Sequence, residues 1–509
     1  MKSAFSCVKL ARITLQLRTP LAIGSGVYEG LAVQAFVRDA NGLPVIPASA
    51  LAGVWQSLLA PEHHAIFGKA AQKGQDESGM SPLQISFAHI HAANDVVMDG
   101  RVLLEQPEHA QPSQRILTPL LSGSPLRRDQ VRLNQYGVVD AEGKFERSIV
   151  PAGHRFTFEI ALWHSSAPDL AEQARQAWLA LHAALLSPAF RLGGGTRSGL
   201  GGVSLHAWRE AFFDLRQAAD VARFASLSTR LDACPDIFQA ASTVPAPMQI
   251  PRYAVELEFC DFWRVGQGST SLGQMAGADA DAGKTEADLL PLTQQVVCWS
   301  SAGSGSSSGS GSGSNLTASP QQASLQQHVY LPASGIKGAL RHRIEYYLHC
   351  LLMGSADATA GVSVQSELLT LFGSVADNDT GHAGILLFDD VLLPIVTQGA
   401  AKPGHMHSVQ SSQVTHITHN RIDHFTQGTR DGALFVEQVL YQTRFRFDVS
   451  LHAKLSVLQQ QALELALDDL GAGRLALGAA SARGHGYLQG SWRFYAGQPQ
   501  NQTQGAHDA

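Results

Sequence analysis

The sequence predicts an α+β protein built from two tandem ferredoxin-like domains. Three observations support this fold class: 509 residues exceed one ordinary domain, a set of motifs occurs twice at a nearly constant separation, and each half repeats the same order of strand and helix patterns. The hydrophobic fraction of 44% is ample for packed cores. We expect a first domain over 1–245, a second over 246–497, and a disordered polar tail over 498–509.

The repeat is clearest at two pairs of motifs, each pair separated by 285 residues. Residues 46–53 (Ile-Pro-Ala-Ser-Ala-Leu-Ala-Gly) correspond to 331–338 (Leu-Pro-Ala-Ser-Gly-Ile-Lys-Gly), and the glycine-rich residues 192–201 correspond to 477–486. Two further matches lie between these anchors, at a separation of 289 residues. Because all four matches keep the same order, they indicate a duplication of the whole domain.

Each half follows the ferredoxin-like order of strand, helix, hairpin, helix and strand. Residues 8–17 and 253–259 alternate apolar and polar side chains, which predicts a half-buried first strand in each half. The Pro-Ala-Ser motifs predict helix starts, with Ser49 and Ser334 as candidate N-caps. Hairpins are predicted over 145–163 and 433–451, and second helices over 168–186 and 457–470.

Composition excludes some classes of protein and leaves others open. The net charge of −6 gives no global support for nucleic-acid binding, although a binding groove needs only local charge. Five scattered cysteines without a C-x-x-C motif argue against a thiolate zinc site and indicate a reducing, cytoplasmic environment. No apolar run is long enough for a membrane span. Residues 300–315 are nearly all Ser and Gly, which predicts a flexible loop inside the second domain.

The segment 331–341 joins a predicted helix start to two basic side chains. Lys337 and Arg341 are four residues apart and therefore share a helix face. A helix N-terminus offers free amide donors and a positive dipole end, so this pattern predicts a phosphate-binding surface. The alternative is an ordinary capped helix with a solvated basic face. Because the first copy has Ala52 in place of Lys337, we expect its phosphate binding to be weaker.

The glycine-rich segments form a second candidate phosphate site. Glycine lets a ligand backbone approach closely, and Arg197 and Arg483 add charge beside the backbone amides, including that of Gly194. The alternative is a tight turn between a helix and the last strand.

These motifs resemble those of the RAMP (repeat-associated mysterious protein) superfamily, in particular the backbone subunits of type III CRISPR effectors. The resemblance rests on the Pro-small-Ser-x-x-Lys-Gly-x-x-Arg pattern of 332–341, the glycine-rich loops, and Asn-Arg-Ile-Asp at 420–423. It implies two RNA-recognition-motif-like domains, each with an inserted hairpin called the thumb. It also implies guide CRISPR RNA and complementary target RNA as ligands. The implied protein partners are a large polymerase-like subunit and small helical subunits, with no membrane.

The resemblance and the local charge pattern together assign RNA binding to residues of both copies. They are Ser49, Arg132, Gly194, Arg197, Ser334, Lys337, Arg341, His419, Asn420, Arg421 and Arg483. Guanidinium groups suit phosphate contact and base stacking. Solvated surface charge is the alternative for the arginines of the expected thumbs, which are Arg115, Arg127, Arg128 and Arg132 in the first copy and Arg421 and Arg430 in the second. His416 and His424 lie near His419, and we interpret these histidines as loop residues near RNA because they lack the partners of a metal site.

Asp288 is the candidate catalytic residue. It resembles the aspartate in the loop after the family's first strand, which cleaves target RNA in active members. In-line attack of a ribose 2′-hydroxyl on phosphorus needs a base or a bound divalent metal, so Asp288 is also a candidate Mg²⁺ ligand. Asp281 and Glu286 are alternative acids, and the other interpretation is that all of them solvate a loop.

The first copy lacks this acid and is expected to be inactive. Val33 or Gln34 stands where the aspartate belongs, and Glu29 is the nearest carboxylate. Three functions therefore stay open: a guide-binding backbone that cuts target RNA, a purely structural backbone, and a guide-processing ribonuclease with a histidine base.

Overall fold

The computed structural model describes residues 5–29, 33–68, 80–102, 111–121, 126–133, 139–266, 268–272, 287–300, 322–354, 363–374, 381–396 and 407–497. Residues 301–315 of the predicted Ser/Gly loop and the tail 498–509 lie outside these ranges.

In the first domain, the strands and helices are β1 Cys7–Leu17, β2 Gly24–Glu29, β3 Val33–Phe36, β4 Val45–Ile46, α1 Ala48–Leu58, β5 Leu83–Ile85, β6 Ala88–Ile90, α2 Thr118–Leu121, β7 Arg127–Leu133, β8 Val139–Ser148, β9 Arg155–His164, α3 Pro168–Leu185, β10 Val203–Asp214, α4 Ala218–Ala225 and β11 Gln239–Ala240.

In the second domain, they are β12 Arg252–Phe259, β13 Phe262–Trp263, β14 Thr293–Ser300, β15 Gln322–Leu331, α5 Ala333–Gly354, α6 Val364–Phe372, β16 Gly373–Ser374, β17 His382–Ala383, β18 Leu386–Phe388, β19 Val391–Val396, β20 Val409–Gln410, β21 Val414–His419, β22 Phe435–Tyr441, β23 Arg444–Leu451, α7 Val457–Gly471 and β24 Leu488–Tyr495.

The two core sheets have the same strand order, which confirms the predicted α+β, ferredoxin-like fold. The second domain pairs its strands as β18-β23-β12-β24, and the first domain contains the matching path β5-β9-β1-β10, with β6 also beside β9. The registers correspond as well: Leu15 lies opposite Phe156 in the first sheet, and Leu257 lies opposite Phe445 in the second. The duplication read from the motifs is therefore a duplication of the sheet.

Alternation along the first strands explains which side of each sheet is covered. Ile13 and Leu15 of β1 are fully buried, and they belong to one core cluster with Trp55 of α1 and Trp178 of α3. Burying such side chains contributes roughly 25 cal/mol per Å² of apolar surface. Helices α1 and α3 therefore pack on one face of the first sheet, whereas α4 packs on the other face, where Phe224 contacts Phe213.

The two predicted hairpins are wrong. Strand β8 pairs with β7 and β3, whereas β9 pairs with β1, β5 and β6. In the second domain β22 and β23 likewise belong to different sheets. The turn at Gly153, with φ of +88°, connects the four-stranded sheet β2-β3-β8-β7 to the core sheet. Alternating side chains predict a half-buried strand but do not select its partner.

The β14–β15 pair joins the two domains. Val297 of β14 donates its amide to Ala152 O at 2.9 Å, and Ala323 of β15 donates to Ala93 O at 2.7 Å. Both donor residues are buried within the core cluster of the first domain. The second domain thus completes the packing of the first. Across the described ranges, no helix combines the length and apolarity that crossing a membrane requires.

Candidate functional site

The Pro-Ala-Ser motifs do begin helices, but the two serines are not their N-caps. Helix α1 starts at Ala48 behind Pro47, and no side chain caps it. Helix α5 starts at Ala333, so Ser49 and Ser334 each lie inside a first turn. The preceding proline has a fixed φ and an extended ψ and is itself the N-cap residue, which places the start of α1 two residues earlier than we predicted.

The N-terminus of α5 already holds a carboxylate. The Ala333 amide donates to Asp390 Oδ1 at 2.9 Å, and Arg128 Nη1 of the first domain donates to Asp390 Oδ2 at 2.8 Å. Asp390 is buried between these two donors. The Ala333 amide at the start of α5 is therefore satisfied internally and is closed to a phosphate. No local sequence signal pairs Arg128 with Asp390.

Three basic side chains meet at the junction of the domains, and we call them the cationic cluster: Lys337, Arg341 and Arg197. Lys337 Nζ donates to Phe372 O at 3.3 Å, and Lys337 and Arg341 lie 5.9 and 5.8 Å from the centroid of the Phe372 ring. Arg197, from the glycine-rich segment of the first domain, donates to Gly384 O at 2.7 Å. The cluster therefore exists only when the two domains are in contact.

The electrostatics of the cationic cluster favour an anion. Within the described residues, no carboxylate forms an ion pair with any of its three members. Burial and the charges of Arg341 and Arg197 lower the pKa of Lys337 to about 8. Burial and the charge of Arg191 lower the pKa of Arg197. A bound anion would relieve this repulsion between like charges.

The glycine-rich segments have the same backbone geometry in both domains. A Cβ on Gly193 would lie 2.3 Å from Ala22 O, and one on Gly478 would lie 2.4 Å from Arg264 O, so both positions require glycine. The amide of Gly194 donates to Ala22 O at 2.7 Å, which corrects the expectation that this amide is exposed to a ligand. The segment contributes to the cationic cluster through Arg197 instead.

Arg483 and His419 are not part of the cationic cluster. They lie at the other end of the second domain, where buried Glu437 accepts from Arg264 Nε at 2.7 Å, from His419 Nε2 at 2.9 Å and from Arg483 at 3.4 Å. Burial raises the pKa of Glu437, but the Arg264 hydrogen bond and charge outweigh it and leave the pKa lowered. The first domain has Arg147 in the place of Glu437, because Val150 bridges Leu21 as Leu440 bridges the equivalent Trp263, and Arg147 and Glu437 each lie three residues before that bridge.

Asp288 is exposed and lies beside the first residues of β22, at the base of the loop 420–434, which we call the second thumb. Its Oδ2 accepts from the Val436 amide at 2.8 Å, and its own amide donates to Val436 O at 2.8 Å. In the first domain, Gln34 bridges Arg147 as Leu289 bridges Glu437. Val33, the residue before Gln34, therefore takes the position of Asp288, as the sequence predicted. Asp281 and Glu286 lie outside the described residues.

The described residues contain no cluster of three or more His, Cys, Asp or Glu side chains that suits a metal ion. Mg²⁺ shared with a phosphate needs only one or two protein carboxylates. Among the described residues, Asp288 is therefore a candidate single protein ligand for Mg²⁺ shared with a phosphate.

The second thumb presents apolar side chains beside its basic ones. Asn420 and Arg421 follow β21, and Ile422 and Phe425 are 62% and 95% exposed. In the first domain, Arg132 lies in β7 and Glu29 ends β2. The sequence analysis did not single out the exposed Phe425.

Both halves of the chain match one known protein family. A family model described as "RAMP superfamily" matches residues 14–204 and 257–489. A chain of the structure described as "Type III-B Cmr-beta Cryo-EM structure of the Apo state" is similar at 16% identity and a TM-score of 0.27, over 39% of this chain and 96% of that chain. No curated protein matches significantly. Because the family model matches twice and covers more than four fifths of the sequence, the chain belongs to the RAMP superfamily and carries two of its domains in tandem.

Proposed function

We propose that this chain is a tandem backbone subunit of a type III CRISPR ribonucleoprotein, which binds guide RNA and the guide–target duplex. The cationic cluster is the observation that carries the proposal. Lys337, Arg341 and Arg197 come from two domains, have no ion-paired carboxylate among the described residues, and include a lysine with a lowered pKa. A phosphate chain crossing the junction would neutralise them. A large polymerase-like subunit and small helical subunits would complete the assembly.

The second thumb supports contact with bases as well as phosphates. Phe425 and Ile422 are exposed apolar side chains beside Arg421 and Arg430. Exposed rings stack on unpaired bases, at about 1–3 kcal/mol per base. We propose that this tip inserts into the guide–target duplex and splays the target strand there.

RNA binding is tested by Lys337→Ala combined with Arg341→Ala, using single-stranded RNA over a range of salt concentrations. Losing two phosphate contacts should weaken binding at low salt and reduce the slope of log K against log salt by roughly 1.4. Arg444→Ala is the matched control, because Arg444 is exposed and already paired with Glu258, and it should leave the slope unchanged. Equal slopes for the double variant and the wild type would refute the cationic cluster as an RNA site.

We further propose that Asp288 cleaves target RNA. When bound there, Mg²⁺ would stabilise charge at the scissile phosphate. Asp288 itself would orient the 2′-hydroxyl or accept its proton, and its anchoring to Val436 holds the carboxylate at the base of the thumb. Positioned proton transfer contributes about 10²–10⁴-fold to rate.

The cleavage test is Asp288→Ala in the assembled complex with labelled complementary RNA and Mg²⁺. One set of cuts should disappear while target binding persists, and Asp431→Ala, another exposed acid of the thumb, should cut normally. Unchanged cutting would refute Asp288. An absence of cutting by the unmutated complex would favour the purely structural backbone.

One observation favours a guide-processing ribonuclease as a second candidate. His419 Nε2 is 2.9 Å from Glu437 Oε2, and a carboxylate that orients an imidazole is typical of general acid–base sites. His419→Gln with precursor guide RNA, in the absence of target, separates the two functions. Unchanged processing would exclude this role.

A further inference from the structure

A partly polar pocket lies on the outer face of the first core sheet, the face opposite α1 and α3, and we call it the outer pocket. Its volume is about 250 Å³. Thr14 of β1, Thr157 of β9 and Arg209 of β10 line it, together with residues of the segment 231–238 that follows α4. Pockets for drug-sized ligands usually have volumes of about 300–1,000 Å³, so the outer pocket suits a small molecule.

A chain of hydrogen bonds orders the polar side of the outer pocket. His91 Nε2 lies 2.7 Å from Thr157 Oγ1, and Thr157 Oγ1 lies 2.7 Å from Thr14 Oγ1. The other ring nitrogen, His91 Nδ1, lies 2.9 Å from Asp95 Oδ1. His91 and Thr157 are both buried. These side chains are therefore positioned before a ligand arrives, which lowers the entropy cost of binding.

The charges of the outer pocket leave one guanidinium free for an anion. Every other arginine and carboxylate that lines the pocket has an ion-pair partner, in the pairs Arg12–Glu159, Asp95–Arg155 and Asp232–Arg230. Among the described residues, Arg209 forms no ion pair, and it lies directly opposite Arg12 in the β1–β10 ladder. Like charges at such positions repel each other. An anion beside Arg209 would relieve this repulsion.

The remaining lining of the outer pocket is largely apolar. It comprises Val97, Ala207, Leu231, Ala233, Pro235 and Phe238. Phe238 is buried, and its ring lies 4.2 Å from the guanidinium of Arg12. A ligand with one anionic group and an apolar or planar body would match both parts of this lining.

The same face of the second core sheet is built differently. Thr14 lies opposite Thr157 in the first sheet, and the equivalent pair in the second sheet is Glu256 and Arg446. Arg446 lies 3.8 Å from Glu256 and 3.5 Å from Asp448. Charged pairs thus occupy the positions of the two hydroxyls. The hydroxyl pair of the outer pocket is therefore specific to the first copy and is not required by the shared fold.

We propose that the outer pocket binds a small phosphate monoester with an apolar or planar body, of the class of the nucleoside monophosphates. Arg209 would hold the phosphate, because a guanidinium donates two parallel N–H bonds to its oxygens. Thr14 would add a hydroxyl hydrogen bond, and the apolar residues of 231–238 would cover the body. This inference goes beyond the proposed function, because the outer pocket shares no residue with the cationic cluster or the second thumb.

Isothermal titration calorimetry of the full chain tests the proposal, with adenosine 5′-monophosphate and inorganic phosphate as probes. The nucleotide should bind more tightly than phosphate, because only the nucleotide contacts the apolar lining. Arg209→Ala removes a charge-assisted hydrogen bond and should weaken nucleotide binding by about tenfold or more. Thr14→Val keeps the shape of the side chain and should weaken it several-fold.

Arg493→Ala is the matched control. Trp492 pairs with Val255 as Trp208 pairs with Ile13, so Arg493 is the exposed equivalent of Arg209 in the second domain. It should leave nucleotide binding unchanged, and circular dichroism should show that every variant is folded. A wild type that binds neither probe at millimolar concentration overturns the proposal. Equal nucleotide affinity in Arg209→Ala and the wild type also overturns it.

Competition against the nucleotide identifies the source of the phosphate monoester. The competitors are one oligoribonucleotide with a 5′-phosphate and the same oligoribonucleotide with a 5′-hydroxyl. The measurement uses Lys337→Ala combined with Arg341→Ala, so that the cationic cluster does not contribute. Displacement by the phosphorylated form alone would identify an RNA end as the ligand, and displacement by neither would identify a free phosphate ester. Equal displacement by both forms would show that the pocket does not recognise the monoester, which overturns the proposal and leaves the proposed role of the cationic cluster untouched.

Discussion

The two domains share their backbone geometry and differ in their charges. Both core sheets have the same strand order, and both glycine-rich segments fold back on equivalent carbonyl oxygens. Yet Lys337 corresponds to Ala52, Asp288 to Val33, and Glu437 to Arg147. Geometry that a fold requires is retained in both copies, whereas side chains at the loop edges are free to take separate roles. The first domain is therefore suited to support the junction, and the second carries the candidate chemistry.

The largest difference is expected at Asp390 and at its equivalent in the first domain, Phe87, which lies between β5 and β6 as Asp390 lies between β18 and β19. Asp390→Ala removes the partner of buried Arg128 and of the Ala333 amide, so the free energy of unfolding should fall by about 3–5 kcal/mol. Phe87→Ala, at the exposed equivalent position, should change it by less than about 0.5 kcal/mol. Urea unfolding monitored by circular dichroism measures both. Similar losses for the two variants would show that Asp390 does not stabilise the junction between the domains.

Two glycines separate backbone strain from contact across the junction. Gly199 and Gly484 have φ of +95° and +90°, so alanine should cost roughly 1–2 kcal/mol at either position. Only Gly199→Ala also pushes a Cβ onto Asp390 and Ala333, which should add about 1–3 kcal/mol. Thermal unfolding of the two variants measures the difference. If Gly484→Ala is the more destabilising, the packing at Gly199 is not as described.

Lys337 should make the affinity for RNA depend on pH, whereas Ala52, the equivalent residue of the first domain, has no titratable side chain. The pKa of Lys337 is about 8, so the free protein loses this charge as the pH rises from 7 to 9. The affinity for RNA phosphates should therefore fall over this window, by up to about tenfold. Lys337→Arg keeps the charge and should flatten the profile. Fluorescence anisotropy at constant ionic strength checks this, and an equally steep decline in Lys337→Arg would assign the titration to another group.

The smallest difference is expected at the second helix of each domain. Ser456 caps α7 by accepting from the Gln459 amide at 3.1 Å, whereas Ala167, before α3, makes no side-chain cap. Ser456→Ala should cost about 1 kcal/mol, and Ala167→Ser should stabilise the protein by less than that. Chemical unfolding resolves both changes. A neutral Ser456→Ala would mean that the start of α7 is held by packing alone.

Sequence patterns alone determined the duplication, the fold class and the main helices and strands. Apolar periodicity reports which residues face a core, so β1, β12, α3 and α7 lie within a residue or two of their predicted bounds. Counting residues back from the segment Val37-Arg38-Asp39 also predicted that Val33 or Gln34 takes the place of Asp288 in the first domain. These properties are local, or they follow from comparing one half of the sequence with the other.

The tertiary structure decided which residues meet. Arg128 and Asp390 are 262 positions apart, and periodicity carries no information about such a pair. The hairpin error has the same origin, because the alternating residues of β8 indicate that one face of the strand is buried but do not identify the strand with which β8 pairs. The cationic cluster joins Arg197 to Lys337 and Arg341 because the domains pack head to tail. The amide of Ala333 is closed to a ligand because it donates to the carboxylate of Asp390. Asp390 is distant in the sequence, so only tertiary packing brings it to the start of the helix.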